Sequence, residues 1–110
     1  METNREIKLD VNPDRIEDVY EKLLEFWISV GWKLGKDLRP FSMELTKGSM
    51  LGILWGSWRL MKINLNIDEA GIIARINLFM PFTNITDYME KKFDQEIEIM
   101  LDHLKRSLGE

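Results

Sequence analysis

Ile7, Leu9 and Val11 alternate with Glu6, Lys8 and Asp10, the period of a strand with one buried face. Asn12 and Pro13 end it. Asn12 is a suitable helix cap, Pro13 fits the first helical position, and Asp14, Glu17 and Asp18 place negative charge at the positive end of the dipole. Ile16, Val19, Tyr20, Leu23, Leu24, Phe26, Trp27 and Val30 then share one broad helical face, and Gly31 is positioned as a left-handed cap.

Trp32 to Lys36 reads as a short strand, and Pro40 marks the start of another. In that strand Phe41, Met43 and Leu45 alternate with Ser42, Glu44 and Thr46, and Lys47-Gly48-Ser49 reads as a turn. Met50 to Asp68 is strand-like, with its parity disturbed at Trp55-Gly56-Ser57-Trp58, where a bulge or bend is expected. Asp68-Glu69-Ala70-Gly71 makes a four-residue hairpin loop. Pairing Ile67 with Ile72 sets Leu65 opposite Ala74, Ile63 opposite Ile76 and Met61 opposite Leu78, an entirely apolar face. The other face pairs Asn66 with Ile73, Asn64 with Arg75, Lys62 with Asn77 and Leu60 with Phe79. A slip of one residue would mix the two faces, so the pattern fixes the register.

Pro81 ends the sheet. A long helix begins near Thr86, with Met89, Phe93, Ile97, Met100, Leu101, Leu104 and Leu108 in one stripe and Lys105-Arg106 at its negative end before Gly109. The predicted fold is therefore a single α+β domain in the order β-α-β-β-β-β-α. Its antiparallel sheet has four or five strands, with both helices on the apolar face.

At 110 residues the chain has room for one core. About two-thirds of its surface, roughly 19,000 Å² unfolded against about 6,300 Å² folded, should be buried. The absence of cysteine removes disulfides, thiol nucleophiles and structural zinc fingers, and a single histidine removes multi-histidine metal sites. No cofactor or metal is expected. The segment METNREIKLDV has no apolar signal core, and Met50–Met61 is too short and interrupted to span a membrane, so a cytoplasmic protein is the expectation. Twelve Ile against three Val and two Ala hint at an AT-rich, thermophilic source.

The net charge of −4 is unevenly spread. Lys33, Lys36, Arg39, Lys47, Arg59 and Lys62 face only Asp37 and Glu44 in the middle of the chain, whereas both flanks are acidic. Such asymmetry arises in a solvated sheet and also marks anion-facing surfaces.

Catalytic signatures are thin. Gly48-Ser49-Met50-Leu51-Gly52 lies between strands and lacks the spacing of a nucleophile elbow. His103 sits to the side of the last helix's stripe and has no evident partner. Glu90, Asp94, Glu98 and Asp102, four residues apart, read as a solvated helix face. A non-enzymatic binding module is the reading that remains.

The candidate interface is the apolar, aromatic stretch after Gly48. Leu54, Trp55, Trp58, Arg59 and Leu60 fall within it, and Lys62, Ile73, Arg75 and Phe79 surround it on the paired strands. With Leu54, Trp58, Leu60, Ile73 and Phe79 pointing away from the helices, the sheet would offer an apolar centre with a polar rim. A homodimer through this face is the plainest explanation. The alternative is a pocket for a small hydrophobic ligand between sheet and last helix, lined by Trp55, Met61, Phe79, Met89 and Phe93. A third reading has Trp58 and Phe79 stacking single-stranded bases, against which the pI near 5.1 argues. The element order resembles two helix-on-sheet families, the double-stranded RNA-binding domains and the helix-grip lipid binders. The lysine-rich signature and basic helix start of the first are absent, and the second has more strands and greater length. The resemblance implies architecture rather than activity.

Overall fold

The computed structural model describes residues 2–48, 58–69, 71–80 and 85–109. The first strand, β1, runs Glu2–Leu9, starting earlier than its hydrophobic alternation predicts. Glu2 to Arg5 carry no strand pattern of their own. They are held extended by antiparallel pairing with β5 (Gly71–Phe79), from Glu2 opposite Phe79 to Leu9 opposite Ile72. Val11 lies past the strand but is still buried.

Asn12 caps as expected, its side-chain oxygen accepting from the Asp14 amide at 2.9 Å. The tighter Pro13–Arg15 segment is a 3-10 turn, so the regular helix α1 spans Ile16–Ser29. Gly31 takes φ +102° as anticipated, and the Trp32 amide donates back to the Trp27 carbonyl at 3.0 Å. Val30 belongs to this exit from the helix and is exposed, contrary to its place in the predicted apolar face.

Strands β2 (Lys33–Leu38) and β3 (Ser42–Lys47) form the next hairpin, and β2 runs further than Lys36. Phe41, predicted to share a buried face with Met43 and Leu45, is half exposed beyond the start of β3. Strand β4 (Arg59–Asp68) pairs with β5 in the register derived from sequence at all eight predicted pairs. The Ser49 end of the predicted turn, the strand from Met50, the bend at Trp55–Ser57, Ala70 and Pro81 lie outside the described residues.

Gly71 is required for more than the turn. Its φ is +154°, and a Cβ there would lie 2.3 Å from the Leu9 carbonyl oxygen. Glycine therefore lets the end of β1 close onto β5.

The antiparallel sheet has five strands in the order β1-β5-β4-β3-β2. Met43, Leu45, Met61, Ile63, Leu65, Ile72, Ala74, Ile76 and Leu78 form its helix-facing side and are at most 5% exposed. Val19, Leu23 and Trp27 of α1 complete this core, as do Phe93, Ile97, Met100 and Leu104 of the C-terminal helix α2 (Asp87–Ser107). Each large side chain sealed there contributes about 1.5–3 kcal/mol from burial. Thr86 caps α2 by accepting from the Met89 amide at 3.2 Å. No helix of the described residues is long and apolar enough to cross a membrane.

Candidate functional site

A cavity of about 130 Å³ opens between the sheet and the first half of α2. Its apolar wall is Trp32, Leu78, Met80, Met89 and Phe93, and Arg59, Tyr88, Lys92 and Glu96 supply the polar part. The placement follows from local structure. Arg59 and Leu78 share the strand parity of the buried face, in register with Met61 and Ile76. Met89, Lys92, Phe93 and Glu96 lie three, four and seven residues apart, one side of a helix. Trp32 follows the Gly31 cap and stands edge-on to Trp27, with ring centres 6.1 Å apart and planes at 82°.

The electrostatics of this corner are unbalanced. Arg59 lies directly opposite Lys47 across the β3–β4 pair, an arrangement of like charges that disfavours the pairing. Lys47 is turned toward α1, donating from Nζ to the Val30 carbonyl at 3.0 Å and sitting 5.9 Å from the centre of the Trp32 ring. Arg59 takes part in none of the ion pairs among the described residues, and its Nε is sealed from solvent without an acceptor. The Trp32 indole N–H is likewise buried and unpartnered, in a side chain only 4% exposed. A buried donor left without an acceptor costs about 1–3 kcal/mol. Segments 49–57 and 81–84, next to this corner in sequence, contain no Asp or Glu.

The residues singled out from sequence divide between two sides of the sheet. Leu60, Lys62, Ile73, Arg75 and Phe79 have the parity of the outer face, with Leu60 opposite Phe79. Leu60, Ile73 and Phe79 are half-buried there, among Asn64, Asn66 and Asn77. Two cations of this face are paired with carboxylates, Lys62 with Glu44 at 3.6 Å and Arg75 with Glu6 at 3.0 Å. Among the described residues, this face is polar around Leu60, Ile73 and Phe79. Trp58 is half-buried just before β4, and Leu54 and Trp55 lie outside the described residues.

Arg59 is the correction. It falls within the stretch expected to form the outer interface, but β4 turns it to the helix side, into the cavity. The pocket expected between sheet and last helix is present, and of its predicted lining Met89 and Phe93 belong to it. Met61 is wholly buried beneath and Phe79 faces the other way. Trp32, Leu78 and Met80 were missed. The hairpin register puts Leu78 on the inner face, and its alternation, extended two residues back from Met61, reaches Arg59, whereas no sequence signal brings Trp32 to this site.

Other polar clusters have structural partners. Arg5 donates to Asp94 at 2.6 Å and lies 3.8 Å from Glu90, while Thr3 donates to Glu90 at 3.0 Å. Two carboxylates expected to be merely solvated therefore tie α2 to the edge strand. Tyr20 donates to Asp37 at 2.6 Å; burial and this bond push the tyrosine hydroxyl's pKa well up, and the same bond with Arg39 holds the Asp37 carboxyl below its ordinary range. His103 lies beside the Phe26 ring, 5.7 Å between centres, and 3.4 Å from the Ser107 hydroxyl. The described residues contain no group of three or more side chains placed to hold a metal ion.

An antiparallel sheet backed by two helices, with a cavity under the long C-terminal one, defines the structural class. No protein-family model matches the chain, and neither does any curated protein. The fold is similar to the crystal structure of Ara h 8.0201, with a TM-score of 0.69 at 9% identity over 100% of this chain and 99% of that one. It is also similar to the solution structure of the Aha1 dimer from Colwellia psychrerythraea, with a TM-score of 0.68 at 16% identity over 94% and 96%. A protein of unknown function, SA2116 from Staphylococcus aureus, gives 0.57 at 13% over 99% and 93%. These similarities establish the fold.

Proposed function

We propose that this protein is a non-enzymatic binding module that holds a small, largely apolar molecule between β4–β5 and α2. The observation that carries the reading is the apolar part of the cavity wall, Trp32, Phe93, Met80, Met89 and Leu78. Such a lining binds by burial and dispersion, and methionine adapts to ligand shape. A volume of about 130 Å³ suits a single aromatic ring or a short chain. His103 lies outside this wall and has, among the described residues, no carboxylate bonded to it, which favours binding over catalysis.

The test is a titration with benzyl alcohol, a neutral one-ring probe, followed through the methyl signals of Met80 and Met89. Saturable shifts at both are expected, and Leu78→Phe, which fills the cavity, should weaken them at least tenfold. Shifts that never saturate, or a Leu78→Phe protein that binds as well, would remove the reading.

Self-association through the outer face is the second reading. Leu60 opposite Phe79, with Ile73 and Trp58 near, favours it, as does likeness to a protein whose structure is that of a dimer. Native mass spectrometry should then give a dimer that a folded Trp58→Glu variant lacks. A monomeric parent would sink the idea. Base stacking finds less support, since Lys62 and Arg75 are already neutralised by acids.

A further inference from the structure

We infer that the molecule bound in this cavity carries a carboxylate, which pairs with Arg59. The inference rests on the ligand-binding reading above and adds the chemical class of the ligand. Arg59 is half-buried with its Nε sealed, and a guanidinium so placed in an apolar wall is normally matched by an acid, because desolvating a charge without compensation is unfavourable. Arg5, on the same side of the sheet, is matched in that way by Asp94 and Glu90. Arg59 is not. Its Nε is buried without an acceptor, the Trp32 N–H lacks one in the same cavity wall, and Lys47 lies across the strand pair from it.

Among the described residues, the lining includes one acid, Glu96, and one further cation, Lys92, a helical turn away. Glu96 forms no ion pair with Arg59 at 4.0 Å or less. With Arg59 and Lys92 against Glu96, the wall carries one net positive charge, and Lys47 adds to the field. A planar carboxylate can accept two hydrogen bonds from one guanidinium, a geometry that an alcohol lacks. The ligand class is a small aromatic or short-chain monocarboxylate, apolar end against Met80, Met89 and Phe93.

Benzoate and benzyl alcohol differ in this group and little else, so their comparison isolates it. Both are titrated into the intact chain, read by the Met80 and Met89 methyl signals so that loose association with surface lysines does not register. Benzoate should bind about tenfold or more tightly than benzyl alcohol, the value of one charge-assisted hydrogen bond. Arg59→Gln should reduce benzoate to the level of the alcohol measured on the same variant. Arg59→Lys, which keeps the charge but not the fork, should fall between, and it serves if the glutamine variant does not fold. Equal binding of the two probes overturns the carboxylate inference and leaves the apolar cavity standing. A preference that survives both Arg59 substitutions also overturns it. Failure of both probes to bind removes the inference and the cavity reading together.

Discussion

Arg5 and Arg59 occupy matching places on one face of one sheet, each beneath α2 and each near Phe93. Arg5 lies 6.0 Å from the Phe93 ring centre, and Arg59 shares a cavity wall with it. Arg5 is opposite Ile76 and Arg59 falls two residues before Met61, so the alternation of the sheet turns both toward the core. Their surroundings differ. α2 presents Asp94 and Glu90 to Arg5, and the pair locks the helix to the edge strand. Toward Arg59 it presents Met89, Phe93 and a Glu96 that does not pair with it. The same residue type, on the same face, is a fastener at one end and an unsatisfied donor at the other. The difference lies in which side of the same α2 turns faces each arginine, and it marks the second location as the one adapted to something beyond folding.

The comparison breaks most completely at Gly71. Gly71→Ala would force a Cβ within 2.3 Å of the Leu9 carbonyl and prise β1 from β5. Urea unfolding should show a loss of about 2–3 kcal/mol. Because β1 carries Arg5 but not Arg59, any folded fraction should still bind benzyl alcohol. Loss of binding without loss of stability would contradict this division of labour.

Identical substitutions should separate the two arginines. Arg5→Met leaves Asp94 without its partner, while Glu90 keeps the Thr3 hydroxyl, and should cost about 1 kcal/mol, a value reduced by the half-exposed acids. Arg59→Met removes an unpaired charge from an apolar wall, so stability should hold or rise by up to about 1 kcal/mol. Parallel denaturant curves check the signs. Equal destabilisation would mean that Arg59 is as well satisfied as Arg5.

Acid and base sharpen the comparison through a third arginine. Arg39 bonds Asp37, which also accepts from Tyr20. Asp37 has a lowered pKa, so its contribution is present above the ordinary carboxylate range and disappears as pH falls through the lowered value. Tyr20 has a raised pKa, so its contribution is present below the ordinary tyrosine range and is lost as pH climbs through the folded value. The stability difference between the parent and Tyr20→Phe should therefore be largest near neutrality and narrow in both directions. A constant difference would assign the tyrosine's effect to packing alone. The smallest effect is expected at Arg106, whose bond to Asp102 at 2.8 Å is exposed. Arg106→Ala should change stability by no more than about 0.5 kcal/mol, and the change should vanish in high salt.

Much of the architecture was legible because it rests on local periods. The β4–β5 register followed from alternation on both sides of one loop, and the caps at Asn12, Gly31 and Thr86 followed from residue chemistry. The start of β1 was not legible, since Glu2 to Arg5 are extended only by what β5 offers them. The parity of Leu60, Lys62, Ile73, Arg75 and Phe79 on the outer face was legible from the same alternation. Leu60 and Phe79 pack against each other within a polar surface already neutralised by cross-strand ion pairs.

Sequence by itself determined the two helices, the inner face of the central hairpin and, through that register, the inward aim of Arg59. Tertiary structure alone decided which groups would meet that arginine. Alternation specifies a side chain's direction over a few residues, whereas pairing depends on where a helix some thirty residues later lays its turns. That placement supplied acids to Arg5 and an apolar wall with Trp32 to Arg59. The cavity is therefore a product of packing geometry, and its chemistry emerges only where three elements distant in sequence converge.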